Sequence, residues 1–167
     1  LGSHAILGNN DWSEFAVRFR ALGLNTLVNA HCRLDIDGES VWLAGVDDPH
    51  EFRCDSLYHA LDGIPEGAFT VLMAHSPEII RQAEKRGVDL YLCGHTHGGQ
   101  MCLPWLGPIY INARCPRRYA LGGPWRYGDL QGLTNRGFGA STLPIRFNCP
   151  PEAVLLELRR AEIPSSG

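Results

Sequence analysis

Four times along this chain an apolar run stops at a polar cluster: GNND at 8–11, GVDD at 45–48, AHSPE at 74–78 and GHTHGG at 94–99. A chain patterned in this way is constrained to a rigid sheet whose strand ends carry the chemistry, because loops converge beyond strand termini while the strands hold them in place. The sharpest case is VDLYLCGHTHGGQ, residues 88–100, where an apolar strand runs straight into two histidines one residue apart.

Between these clusters the pattern alternates. HAILG (4–8) reads as a short strand, and DWSEFAVRFRALG has helical spacing, with Trp12, Phe15, Phe19 and Leu22 on one face, Ser13 as a cap and Gly23 as a stop. Two alternating runs around Asp37-Gly38-Glu39 predict a strand pair. A short helix in DSLYHALDGI, capped by Asp55 or Ser56, precedes the strand AFTVLMAH. SPEIIRQAEKRGV carries helix signals at both ends, with Ser76, Pro77 and Glu78 at the start and Arg86 and Gly87 at the stop. Beyond residue 98 the texture becomes rich in Gly and Pro, with short strands expected at PIYINA, LQGLTNRGFG and AVLLELRR. Strands alternating with helices and then a run of strands imply an α/β sandwich of sheets with helices outside.

Composition narrows the function classes. At 167 residues the chain fits one domain able to bury roughly 70% of its unfolded surface. A formal net charge of -3, with basic residues scattered along the chain, gives no nucleic-acid footprint. No apolar run approaches the ~20 residues that cross a bilayer. The cysteines (Cys32, Cys54, Cys93, Cys102, Cys115 and Cys149) form no C-x-x-C pair and read as mostly reduced core thiols. The chain begins without Met and enters a strand almost at once, as the middle of a domain would.

Convergence of Asn9, His75, His95 and His97 would build a metal site. Imidazoles suit Zn, Fe, Mn, Ni and Co, and an Asn carbonyl oxygen completes a mixed shell for such ions. Two residues apart in extended chain, His95 and His97 point the same way and can address one ion or two adjacent ones. Gly98 and Gly99 clear side chains from beside the site. Each cluster alone has a plainer reading: GNND as a turn, His75 as a satisfied structural histidine, Asp47 and Asp48 as turn or capping residues. Jointly, three ligand-type motifs at three strand ends argue for the metal.

These motifs resemble those of the calcineurin-like metallophosphoesterase family. GNND looks like its GNHD motif, MAHSPE like its single-histidine strand end, and GHTHGGQ like its GHTH motif. The wider run, with WLAGVDD, IPEGAFTVLMAHSPE and LPIRFNCPPE, resembles the bacterial YkuE-like and YaeI-like phosphodiesterase branch, and the likeness covers nearly the whole chain. It implies a four-layer α/β/β/α sandwich and a phosphoester hydrolase in which metal-bound hydroxide attacks phosphorus between two divalent ions. Carried over, Asn9, His75 and His95 hold the second ion and His97 reaches the first. The substrate implied is a phosphate ester, with lipid-linked or nucleotide-sugar phosphates as the branch's direction.

Two departures matter. The family's D-x-H and GD-x-x-D motifs precede GNHD, and nothing upstream of Gly8 supplies them. Residues 1–160 therefore read as the C-terminal portion of one such domain, missing its first strands and holding one ion or fewer, with 161–167 as a flexible tail. Any membrane association would come through a segment ahead of Leu1, placing the parent in the cytoplasm or at the bacterial inner membrane. Second, Asn10 stands where the family has the histidine that assists the leaving group and that the following acid, here Asp11, orients. An asparagine can donate a hydrogen bond but cannot deliver a proton near neutral pH. The alternative is a non-catalytic metal-binding or interaction domain derived from a phosphoesterase.

Overall fold

The computed structural model describes residues 2–160. Its centre is a six-stranded mixed sheet in the order β3-β4-β5-β6-β10-β9. β3 (Ala30–Ile36) and β4 (Glu39–Gly45) form an antiparallel hairpin. Asp37 and Gly38, at φ 51° and 83°, make its turn, both central residues taking the positive φ of a two-residue hairpin. β4, β5 (Thr70–Met73), β6 (Leu90–Cys93) and β10 (Leu130–Thr134) run parallel, so their C-terminal ends share one edge. β9 (Gly123–Tyr127) closes the other side antiparallel to β10.

Alternation along the strands builds two cores, because successive side chains point to opposite faces. On one face Ala44, Leu72, Tyr91 and Leu130 pack with Leu57 and Ala60 of α2 (Leu57–Leu61) and with Ile80 and Ala83 of α3 (Ile80–Lys85). On the other, Leu43, Val71, Leu90 and Leu92 meet Leu27 and Ile6, which flank the parallel pair β1 (His4–Ala5) and β2 (Asn25–Thr26). Helix α1 (Ser13–Ala21) connects that pair and donates a bond from Arg20 to the Thr26 carbonyl at 2.9 Å. Helices thus cover one face of the large sheet and the short β1–β2 pair the other, an α/β arrangement in which the second sheet is two short strands.

Several sequence expectations are corrected. Of PIYINA only Pro108 is in a strand, paired in the small hairpin β7 (Cys102–Leu103) and β8 (Gly107–Pro108). AVLLELRR, residues 153–160, forms none: Leu155 is 96% exposed, and the segment's backbone pairs with no strand among the described residues. Trp12 and Leu22, the residues flanking α1, are exposed, so only part of the expected apolar face finds a partner, with Ala16 the buried residue of the helix. Ser13 is the first residue of α1 and Trp12 its cap, without a side-chain bond. All the cysteines are free, as expected, but only Cys93 and Cys149 are buried. The expected tail at 161–167 lies outside the described residues. Among those described, no helix is long and apolar enough to cross a membrane.

Candidate metal centre

The GNND turn is closed from both sides: the Asp11 N–H donates to the Gly8 carbonyl at 2.9 Å, and the Gly8 N–H donates to the Asp11 carboxylate at 2.9 Å. Asp11 therefore shapes the turn, which aims Asn9 inward. His75 lies just beyond β5, on backbone still in register with the sheet through the bond from Gly94 N–H to its carbonyl. His95 lies just beyond β6 at φ 68°. These ends converge: His75 Nε2 is 2.9 Å from Asn9 Oδ1 and 3.1 Å from His95 Nδ1.

Hydrogen bonds alone do not satisfy this trio. A neutral imidazole nitrogen carries one proton at most, so His75 Nε2 can donate to one neighbour and leaves the other's lone pair unclaimed. His95 Nε2 is buried with no hydrogen-bond partner. Burial makes the neutral rings the favoured form: it lowers the His75 pKa, and it pushes His95 down to about 4, with the nearby His75 and His50 rings adding to the effect. Neutral imidazole is the form that ligates a cation. Ligand atoms about 2.1 Å from one ion and at right angles to each other stand roughly 3 Å apart, so the observed separations suit a mixed N/O shell. The residues present fit a divalent ion. Among the described residues no three His, Cys, Asp or Glu side chains form such a cage, and the asparagine is what completes this one.

His97 lies apart from the trio. Its Nδ1 is 3.2 Å from the Gly139 carbonyl and 3.2 Å from an Arg146 nitrogen. All the nominated residues, Asn9, Asn10, Asp11, His75, His95 and His97, nevertheless line one cavity of about 470 Å³. Met101, Ile109, Tyr110 and Leu143 give that cavity an apolar side. Tyr110 is the aromatic on that side, whereas Trp125 and Tyr127 pack against the core and Trp105 is fully exposed.

The far wall, residues 139–143, has no regular secondary structure and is held by side chains. Gln100, at the end of GHTHGGQ, donates to the Ser141 and Leu143 carbonyls at 3.1 and 2.6 Å and accepts from Ser141 N–H at 2.7 Å. Arg146 donates to the carbonyls of Gly139, Gly137, Arg136, His97 and Cys149. Gly98 and Gly99 are required by the protein's own packing. A Cβ would meet Arg136 and Cys149 at 2.8 and 2.9 Å from Gly98, and Pro108 at 2.2 Å from Gly99.

Sequence reasoning missed His50, buried beside His95, and Glu78, joined to it at 2.5 Å. The only hint was GVDD itself: as expected, its aspartates cap, the Asp48 carboxylate accepting the N–H groups of His50, Glu51 and Phe52.

No family model matches the chain. It is 30% identical over 165 residues to the metallophosphoesterase YkuE of Bacillus subtilis, covering 95% of this chain and 57% of that protein. It is 30% identical over 139 residues to the phosphodiesterase YaeI of Escherichia coli, covering 83% of this chain and 49% of that protein. The chain thus spans about half the length of these relatives. Among solved structures, the sulfate thiohydrolase SoxB of Thermus thermophilus matches with a TM-score of 0.50 and 20% identity, over 79% of this chain and 27% of that one, a likeness of fold. Over most of its length, then, the chain is related in sequence to the metallophosphoesterases.

Proposed function

We propose that, in the whole protein, this site hydrolyses phosphate esters, phosphodiesters first, with the aid of divalent cations. The observation that carries the reading is the convergence of Asn9 Oδ1, His75 Nε2 and His95 Nδ1 at one sheet edge. These atoms would hold one ion, of the Mn, Fe, Zn, Ni or Co type, and His97, on the same cavity, would serve a second. A cation there supplies Lewis-acid polarisation of the phosphoryl group and a lowered pKa for water. The chain's own residues do the rest. Asp11 fixes the turn that aims Asn9, and Asn10, on the cavity wall, can donate a hydrogen bond to a phosphoryl oxygen. Since Asn10 cannot protonate a leaving group, and general acid catalysis contributes ~10²–10⁴-fold, activated leaving groups are favoured over alkoxides. The apolar side formed by Met101, Ile109, Tyr110 and Leu143 suits a phosphate ester with an apolar tail, which supports a lipid-linked substrate over a nucleotide sugar.

The test uses a protein spanning the relatives' full length, stripped of metal, with Mn²⁺ added and hydrolysis of bis-(p-nitrophenyl) phosphate followed. Metal-dependent turnover, lost on replacing His75 with alanine, is the expected result; no turnover at any metal concentration rejects the enzyme. Asn10 favours one rival, a non-catalytic metal-binding domain. Metal stoichiometry separates the two: the enzyme takes two ions per chain, the rival one or none.

A further inference from the structure

The imidazole of His50 plays no part in the reading above, yet it is 3% exposed and lies directly behind His95, with ring centroids 4.2 Å apart and planes tilted by 43°. His75 covers His95 from another side, at 4.9 Å and 65°. The His95 ring is therefore held between two other imidazoles. Such a hold is needed, because His95 sits at φ 68°, a left-handed backbone that disfavours a side chain and persists only where the surroundings enforce it.

His50 is itself fastened. Its Nδ1 is 2.5 Å from Glu78 Oε1, and the wholly buried Asp48 fixes the turn that carries it. The same Glu78 oxygen accepts the Arg114 N–H at 3.0 Å, and the Arg114 guanidinium donates to the His50 carbonyl at 3.0 Å. Glu78 also lies three residues after His75, on the same segment. One carboxylate thus joins the loop after β4, the start of the helical turn after His75 and the segment following β8.

We infer that the Glu78–His50 pair is a positioning device for the metal centre: His50, clamped by Glu78, forms the back wall that keeps His95 Nδ1 turned toward His75 Nε2. It rests on the reading of Asn9, His75 and His95 as ligands. Outer groups of this kind orient ligands by contact, and their loss typically lowers metal affinity ~10–100-fold.

The experiment compares the chain with its H50A, H50F and E78A variants. Two properties are read: the imidazole ¹⁵N shifts of His95 in metal-free protein, and Mn²⁺ affinity from the EPR signal of the free ion, with circular dichroism reporting folding. In the parent chain His95 should show one fixed tautomer with its proton on Nε2. H50A should give averaged His95 shifts and ~10–100-fold weaker Mn²⁺ binding. H50F, which keeps a ring behind His95, should stay close to the parent. E78A frees His50 and should follow H50A; if H50A does not fold, E78A carries the comparison. Parent-like His95 shifts in folded H50A or E78A overturn the inference. If the parent chain binds no Mn²⁺, the metal reading fails by itself, and the positioning role is decided by the His95 shifts alone.

Discussion

At Gly8 a methyl group has nowhere to go: a Cβ there would sit 2.7 Å from the His75 ring. Gly8 opens the turn that presents Asn9, so one atom's space links two side chains that lie 66 residues apart in sequence. We expect G8A to displace the His75 imidazole and weaken Mn²⁺ affinity at least tenfold, about what loss of a supporting contact costs, with secondary structure intact by circular dichroism. Isothermal titration checks it. The three atoms that converge were legible in the sequence because each follows an apolar run, and strand ends meet at one edge of a parallel sheet. His50 was not: it follows a capped turn and owes its importance to Glu78, a partner distant in sequence that no local pattern announces.

Among the elements, the β9–β10 pair shows how a glycine can be essential to a strand. Gly132 pairs with Trp125 across the ladder, and the indole lies over the glycine so closely that a Cβ would fall 2.1 Å from it. The indole N–H donates to Thr134 at 2.9 Å, which locks the ring there. G132A should overpack this site and destabilise the protein by about 1–3 kcal/mol in urea unfolding. The hairpin β3–β4, the strands β5 and β6 and the α3 region were readable from alternation and from start and stop residues. AVLLELRR has strand composition too, but a strand also needs a neighbour's backbone, and among the described residues it has none. Periodicity records what a segment buries, not whether something is there to pair with it.

Across the whole molecule, an ion pair ties the end of the sheet to the last described segment. Arg136 donates to both oxygens of Glu152 through its backbone and guanidinium, and this holds the Glu152 carboxyl below the usual carboxylate range. Its stabilisation is present above the unfolded carboxyl's pKa and is lost as pH falls through the folded one. E152Q should therefore cost about 1 kcal/mol near neutral pH and nothing in acid below both values, as thermal melts across that range would show. The layered α/β architecture followed from the order of strand and helix patterns. The thinness of its second sheet did not, because β1 and β2 are two residues each and their pairing depends on α1 folding back between them. The wall clasped by Gln100 and Arg146 carries a consequence for how such a protein changes over generations. Since Gln100 grips the main-chain carbonyls of Ser141 and Leu143 rather than their side chains, those two identities can vary while the contour stays put, so a library randomised at both should leave Mn²⁺ affinity unchanged. R146K, with one ammonium in place of a fork, should lose that tolerance.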